Sequence, residues 1–130
     1  MGIVVQFTYE QIDLMARIQE LFPDDFSGSQ GLNSRDAVKA FKKGKFISPM
    51  GVEGLHQIGN MASNLRQYYT LGVRYSTLTH NCHNIYADAA LEEHPLRKAT
   101  PISNGVSEAG HKLIHEMNRI GMIVDLSHVR

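Results

Sequence analysis

The chain has 130 residues, with 13 basic and 13 acidic side chains and therefore no formal net charge. This length corresponds to one domain or part of one, and the lack of a basic surplus argues against nucleic acid as the main partner. No apolar run approaches the ~20 residues of a membrane span, and the N-terminus does not have the pattern of a secretory signal. By default, these features predict a cytoplasmic location. The single cysteine, Cys82, cannot form an internal disulfide.

The first third of the chain predicts two helices joined by a loop. Thr8 and Gln11 form a capping-box pattern at the start of the first helix. The apolar residues that follow recur at helical spacing: Leu14, Ile18 and Leu21. Residues 23–33 are polar and contain glycine, which favours a loop. Ser34 is predicted to cap the second helix and Gly44 to end it. The apolar stripe of this helix consists of Ala37, Val38 and Phe41.

From residue 46 onward, predicted strands alternate with predicted helices. The segments rich in strand-forming residues are 46–52, 73–79 and 122–126. Helical spacing predicts a helix over 61–71, and Ser107 and Gly121 mark the start and the end of another. Residues 85–105 predict a polar loop with one helical turn at 87–90. Strands that alternate with helices indicate right-handed βαβ units, an α/β fold and a parallel sheet.

Polar residues follow the predicted strands, and parallel sheets carry their chemistry at the carboxyl ends of strands. Glu53, which glycines flank, is suited to bind a metal or to act as a base, although it also fits a solvated loop residue. His80 fits either a hydrogen-bonding or acid–base role or that of a structural histidine. Asp125 and His128 either orient the site or cap the next turn.

For three other groups of candidate residues, the sequence favours roles other than catalysis. The run of residues 80–83 is too compact to hold one ion, since zinc sites usually separate their ligands by two or more residues. His111 and His115 are four residues apart on a predicted helix, but the His-Glu-x-x-His signature is absent and charged residues surround them. Cys82 has no identifiable base and is predicted to be a buried or unpaired thiol.

Three motifs occur in a defined order: GVEGLH at 51–56, LGVRYSTLTHNC at 71–82 and EMNRIGMIVDLSHV at 116–129. The step from Glu53 to His80 is 27 residues. Together, these motifs resemble the membrane (renal) dipeptidase family, zinc hydrolases that cleave dipeptides, and most of all its fungal and bacterial members. The resemblance extends from about Thr8 to the C-terminus.

The resemblance implies a (β/α)8 barrel with two zinc ions at its carboxyl-terminal rim. Residues 1–130 would form a single segment of this barrel, with about three parallel strands and their flanking helices. A complete barrel takes ~250 residues, so the chain is interpreted as an internal fragment. Glu53 would be the carboxylate that bridges the two zinc ions. His80 would contact the dipeptide substrate and stabilise the tetrahedral intermediate, while zinc polarises the scissile carbonyl and activates water.

The sequence also departs from the family pattern. Of the five zinc ligands that the resemblance implies, only Glu53 is identified. The expected His-x-Asp motif is missing, the two later zinc histidines of the family are expected after the Asp-Leu-Ser-His stretch, and His128 is not matched to a ligand. Pro49 falls within a predicted central strand, where it would remove a hydrogen bond of the ladder. We therefore expect the isolated chain to be inactive and not to bind two zinc ions stoichiometrically.

Two alternatives to a dipeptidase segment are open from the sequence. The chain could be a catalytically inactive remnant that associates with other chains, including copies of itself, through unpaired strand edges. It could also derive from another metal-dependent amidohydrolase, such as a deaminase. The Leu-Thr-His-Asn-Cys context of His80 argues against this second alternative. The sequence indicates neither the preferred dipeptide nor the oligomeric state.

Overall fold

A computed structural model describes residues 2–28 and 33–130. In chain order, the elements are α1 (Gly2–Leu21), α2 (Ser34–Lys42), β1 (Met50–Glu53), a 3₁₀ helix (Leu55–Ile58), α3 (Ala62–Thr70), β2 (Val73–Thr77), β3 (Leu91–Glu93), β4 (Leu96–Lys98), α4 (Glu108–Ile120) and β5 (Ile123–Asp125). Strands and helices alternate from β1 onward as predicted, except that β3 and β4 form an antiparallel hairpin between β2 and α4.

Strands β1, β2 and β5 form a parallel sheet in the order β1-β2-β5. The register pairs Glu53 with Thr77 and Thr77 with Asp125. The three strands therefore end at the same level, and their carboxyl ends meet at one edge of the sheet. This arrangement confirms the predicted parallel sheet.

The hydrophobic core lies among the strands, the helices that follow them and α1. Its most deeply buried members are Leu55, Ile58, Leu65, Tyr68, Val73 and Met117. The Tyr68 hydroxyl donates a hydrogen bond to the Gln57 carbonyl at 2.9 Å, which satisfies the one polar group of this buried ring. The Tyr9 ring of α1 packs edge-on against Tyr68, with 4.9 Å between ring centroids. These contacts attach α1 to α3.

Helix α1 begins earlier than predicted and buries a different face. Thr8 is not its N-cap, because this residue lies buried inside the helix with its hydroxyl 2.8 Å from Gln57 Oε1. The predicted apolar face is also wrong at two positions, since Leu14 and Leu21 are 40% and 73% exposed. Ile12 is buried instead. The buried face of α1 therefore includes both Ile12 and the polar Thr8.

Helix α2 follows its predicted bounds closely, but its cap and its apolar face differ. Asn33 rather than Ser34 is the N-cap, and its Oδ1 accepts a hydrogen bond from the backbone N–H of Asp36 at 3.0 Å. Val38 and Phe41, predicted to be buried, are exposed. The predicted loop before this helix is confirmed where it is described, and its residues 29–32 lie outside the described residues.

In the second part of the chain, the predicted bounds of α4 are confirmed, whereas the predictions for Pro49 and for residues 87–90 are not. Helix α4 begins and ends as predicted, because Ser107 Oγ accepts a hydrogen bond from the Gly110 N–H at 3.1 Å and Gly121 adopts a φ of 84°. Strand β1 begins at Met50, so Pro49 precedes it and removes no ladder hydrogen bond. The predicted helical turn at 87–90 is wrong, since these residues are not helical and lead into the β3–β4 hairpin.

Within residues 2–28 and 33–130, none of the helices combines the length and the apolar character that crossing a bilayer requires.

Candidate active site

Three polar residues lie at the carboxyl edge of the sheet, one at or after the end of each strand. Glu53 is the last residue of β1, whereas His80 and His128 each follow the end of their strand, β2 or β5, by three residues. Gly54 turns the chain after Glu53 with a φ of 101°. A Cβ atom at this position would lie 2.5 Å from His56 Nδ1 and 3.1 Å from the His80 backbone nitrogen. The turn therefore requires glycine, both for its backbone conformation and for the close approach of His80.

The two oxygens of the Glu53 carboxylate face two different imidazoles. Oε1 lies 3.1 Å from His128 Nε2, and Oε2 lies 3.8 Å from His80 Nε2. The two imidazole rings are nearly perpendicular, at 76°, with 4.8 Å between their centroids. One ligand atom from each of the three side chains lies within 4.8 Å of the others. The fold thus gathers one carboxylate and two histidines, which we call the Glu53 cluster.

The donor set of the Glu53 cluster fits a zinc ion. Zinc binds imidazole nitrogen and carboxylate oxygen, and catalytic zinc sites keep one position open for water or substrate. The three side chains remain partly accessible, with 60% exposure for Glu53 and about one third for each histidine. In the described part of the chain, this is the one group of three such residues whose ligand atoms converge.

Asp125 supports the turn that carries His128. Its Oδ1 accepts a hydrogen bond from the Ser127 backbone N–H at 2.8 Å. Hydrogen bonds from Ser127 lower the pKa of the Asp125 carboxyl, and the electrostatic effect of the nearby His128 lowers it further, so this group is ionised at neutral pH. Of the two roles that the sequence left open, Asp125 caps the turn, whereas His128 lies within the cluster.

His56 lies next to the cluster and is kept neutral. Burial lowers the pKa of His56, and the positive charge that His80 can carry lowers it further. Its Nδ1 is buried without a hydrogen-bond partner among the described residues. The imidazole therefore presents an uncharged surface beside His80.

The residues that the sequence analysis set aside lie outside the cluster. His111 and His115 are exposed on α4, as predicted for a solvated face. Cys82 is exposed and has no disulfide partner, and desolvation together with the charge of Glu93 raises the pKa of its thiol. A raised pKa disfavours the nucleophilic thiolate. His83 points to a different set of partners, since its Nδ1 accepts a hydrogen bond from the Ala89 N–H at 3.1 Å.

His128 belongs to the Glu53 cluster but was not predicted from the sequence as a candidate metal ligand. A signal was present, because His128 follows its strand by the same three-residue step as His80. The signal depends on knowing where both strands end, and the predicted strands extended one or two residues too far, to 79 and 126.

Comparison with known proteins gives a consistent match over nearly the whole chain. Residues 3–130 match the family of membrane dipeptidases, peptidase family M19. The chain is 48% identical over 122 residues to dipeptidase tcpJ of Claviceps purpurea and 46% identical over 125 residues to dipeptidase aclJ of Aspergillus oryzae. These alignments cover 94% and 96% of this chain but only 27% and 28% of the relatives. The chain thus spans less than a third of the length of the curated relatives it matches.

Two solved structures from Pseudomonas aeruginosa share the fold. The probable dipeptidase PvdM superposes with a TM-score of 0.83 at 21% identity, over 98% of this chain and 32% of that protein. An amidohydrolase superposes with a TM-score of 0.74 at 23% identity, over 95% and 35% of the two chains. At these identities, the likeness concerns the fold alone. The α/β fold of this chain is part of a (β/α)8 barrel, which confirms the predicted fold class.

Proposed function

Because the chain belongs to the membrane dipeptidase family, we propose that it carries part of the active site of a zinc-dependent dipeptidase. The observation that carries the proposal is the convergence of Glu53, His80 and His128 at the carboxyl edge of the parallel sheet. Active sites of barrels of this type lie at that edge. The substrate would be a dipeptide, and the reaction would be hydrolysis of its peptide bond.

Glu53 and His128 are the metal ligands in this proposal. The two Glu53 oxygens face different neighbours, which suits a carboxylate that bridges two metal ions. The 3.1 Å contact with Glu53 Oε1 is the reason to add His128, which the resemblance in sequence did not supply. The chemistry that zinc provides at such sites is polarisation of a carbonyl group and a lower pKa for water, toward ~7.

His80 contacts the substrate in this proposal. Its Nε2 lies 3.8 Å from Glu53 Oε2, which is longer than a hydrogen bond, so Glu53 does not occupy the hydrogen-bonding position of this nitrogen. An N–H group at Nε2 would donate to the carbonyl oxygen of the scissile bond as negative charge develops there. Donors placed in this way stabilise the transition state more than the ground state.

The test places this segment in a full-length dipeptidase of the family and measures dipeptide hydrolysis and zinc content together. Glu53→Gln is expected to abolish hydrolysis and to lower zinc content. His80→Ala is expected to lower turnover far more than zinc content, because His80 acts on the substrate. His111→Ala, on the exposed face of α4, serves as the control and should change neither. Equal loss of turnover and zinc in His80→Ala would contradict the role of His80.

The 130-residue chain by itself is expected to show no zinc-dependent hydrolysis. One carboxylate and one imidazole provide too few ligands to hold two zinc ions, each of which takes about four. Turnover by the isolated chain that disappears in Glu53→Gln would contradict this expectation. Such a result would mean that a second copy of the chain contributes ligands.

A further inference from the structure

A cavity of about 430 Å³ opens beside the Glu53 cluster. His80 lines this cavity, whereas Glu53 and His128 do not. Of the three members of the cluster, His80 is therefore the one that borders the cavity. A substrate whose carbonyl group reaches His80 would extend one of its ends into the cavity.

The β3–β4 hairpin contributes a carboxylate to this cavity, at Glu93. Asn81 Nδ2 donates a hydrogen bond to Glu93 Oε1 at 2.6 Å, and the same nitrogen lies 3.5 Å from His80 Nε2. A single amide group thus separates the Glu93 carboxylate from the imidazole of His80. The hairpin, which the sequence analysis missed, brings this carboxylate to the edge of the proposed active site.

The two glutamates of β3 differ in how their charges are compensated. Arg97 pairs with Glu92, at 2.8 Å between Nη2 and Oε2. Glu93 accepts its hydrogen bond from a neutral amide, and among residues 2–28 and 33–130 it forms no ion pair. The negative charge of Glu93 acts on a neighbouring group, since it contributes to the raised pKa of the Cys82 thiol. The cavity therefore carries a negative charge that a cationic N–H donor would neutralise.

We propose that Glu93 forms a subsite for the ammonium group of a peptide with a free amino terminus. This inference rests on the proposed function and assigns a specificity-determining residue to it. In a dipeptide, the ammonium nitrogen is attached to the carbon next to the scissile carbonyl, so a carbonyl at His80 leaves the ammonium group within reach of Glu93. Hydrogen bonds between charged groups are the stronger kind. An N-acylated peptide has no such charge and would be discriminated against.

The experiment measures binding to the metal-free 130-residue chain by NMR titration. The probes are glycyl-leucine and N-acetylglycyl-leucine, which differ in the amino-terminal charge. Glycyl-leucine is expected to bind about threefold tighter, a size typical of partly exposed charge pairs, and to shift the amide signals of Asn81 and Glu93. Glu93→Gln keeps an oxygen that can accept from Asn81 but removes the charge, so this preference should disappear. Glu108→Gln, on exposed α4, is the matched control and should retain it.

The Glu53→Gln variant tests the main alternative, in which the preference depends on the carboxylate of Glu53 and not on that of Glu93. The preference for glycyl-leucine should survive in Glu53→Gln, because Glu53 does not line the cavity. A preference that is lost in Glu53→Gln and kept in Glu93→Gln would overturn the proposal, as would equal binding of the two probes by the unmodified chain. If zinc binding does not depend on Glu53 while the preference still depends on Glu93, the proposed function fails and the ammonium subsite stands.

Discussion

Glu53 Oε1 lies 3.1 Å from His128 Nε2, although 75 positions separate the two residues along the chain. Strand β2 holds them together, because Thr77 pairs with Glu53 on one side and with Asp125 on the other. The contact is therefore a consequence of the parallel sheet and of the turn after β5. It links the fold of this segment directly to its proposed metal chemistry.

The first prediction concerns Asp88, a carboxylate that is only 1% exposed. Its Oδ2 accepts hydrogen bonds from the backbone N–H groups of Ile102, Ser103 and Gly105 at 2.9, 2.8 and 3.3 Å. Asp88→Asn keeps the size of the side chain but removes the charge, so it should lower the free energy of unfolding by about 2 kcal/mol. Urea denaturation at neutral pH measures this change. Asp13→Asn, at an exposed surface pair, should change stability by less than about 0.5 kcal/mol.

The same residue predicts a pH dependence of stability. Burial acts to raise the pKa of Asp88, but hydrogen bonds from backbone N–H groups outweigh burial and lower the pKa below its ordinary value. His83 Nδ1 also faces this carboxylate, at 3.4 Å. Because the pKa is lower in the folded state than in the unfolded chain, where it is about 3.9, ionised Asp88 stabilises the fold above that pH. This contribution is lost as the pH falls through the folded pKa.

The stability difference between the unmodified chain and Asp88→Asn should therefore stay constant from neutral pH to about pH 5 and shrink below about pH 4. Denaturation series at several pH values measure it. A difference that is unchanged at the lowest pH at which the chain folds would contradict the role assigned to Asp88.

The second prediction concerns the first turn of α4. A Cβ atom on Gly110 would lie 2.0 Å from the Tyr86 carbonyl oxygen and 2.7 Å from Val106 Cγ1. Gly110→Ala gains about 1 kcal/mol in helix propensity, but the clash with a backbone atom costs about 3 kcal/mol. Thermal unfolding should thus show a clear loss of stability. Gly2→Ala in α1, where no atom lies within 4 Å of the added Cβ, should show none.

The third prediction concerns the hydroxyl group of Tyr68. Tyr68→Phe leaves the Gln57 carbonyl without the hydrogen bond that it accepts at 2.9 Å, and should lower the free energy of unfolding by about 1 kcal/mol. Burial raises the pKa of Tyr68 to about 12, so the loss should be the same at neutral and mildly alkaline pH. Tyr75→Phe is the matched control, since this ring is 37% exposed. Equal losses in the two variants would contradict the prediction.

Local signals in the sequence predicted the second part of the fold well. Ser107 and Gly121 act within their own helix, as cap and as terminator, so their pattern determines the bounds of α4. The β-rich segments and the helices between them were sufficient to predict the parallel sheet. Pro49 looked inconsistent with a central strand only because the predicted strand began four residues before β1.

The features that sequence did not predict depend on distant contacts. Thr8 has the pattern of an N-cap, but it lies buried inside α1 and contacts Gln57, which is 49 residues away. The β3–β4 hairpin has strands of only three residues each, too short for a pattern of alternation. Glu53 and His80 were identified as candidates from their positions and from the resemblance, whereas the contact of His128 with Glu53 required the register of all three strands.

The most direct test of the account is a zinc titration of the 130-residue chain by isothermal calorimetry, with Glu53→Gln, His128→Ala and His111→Ala measured in parallel. We expect fewer than two zinc ions per chain, bound through Glu53 and His128. Affinity should fall by about tenfold or more in Glu53→Gln and His128→Ala and stay unchanged in His111→Ala. Zinc affinity that is the same in the unmodified chain, Glu53→Gln and His128→Ala would contradict the central claim that these two residues form the metal-binding end of the site.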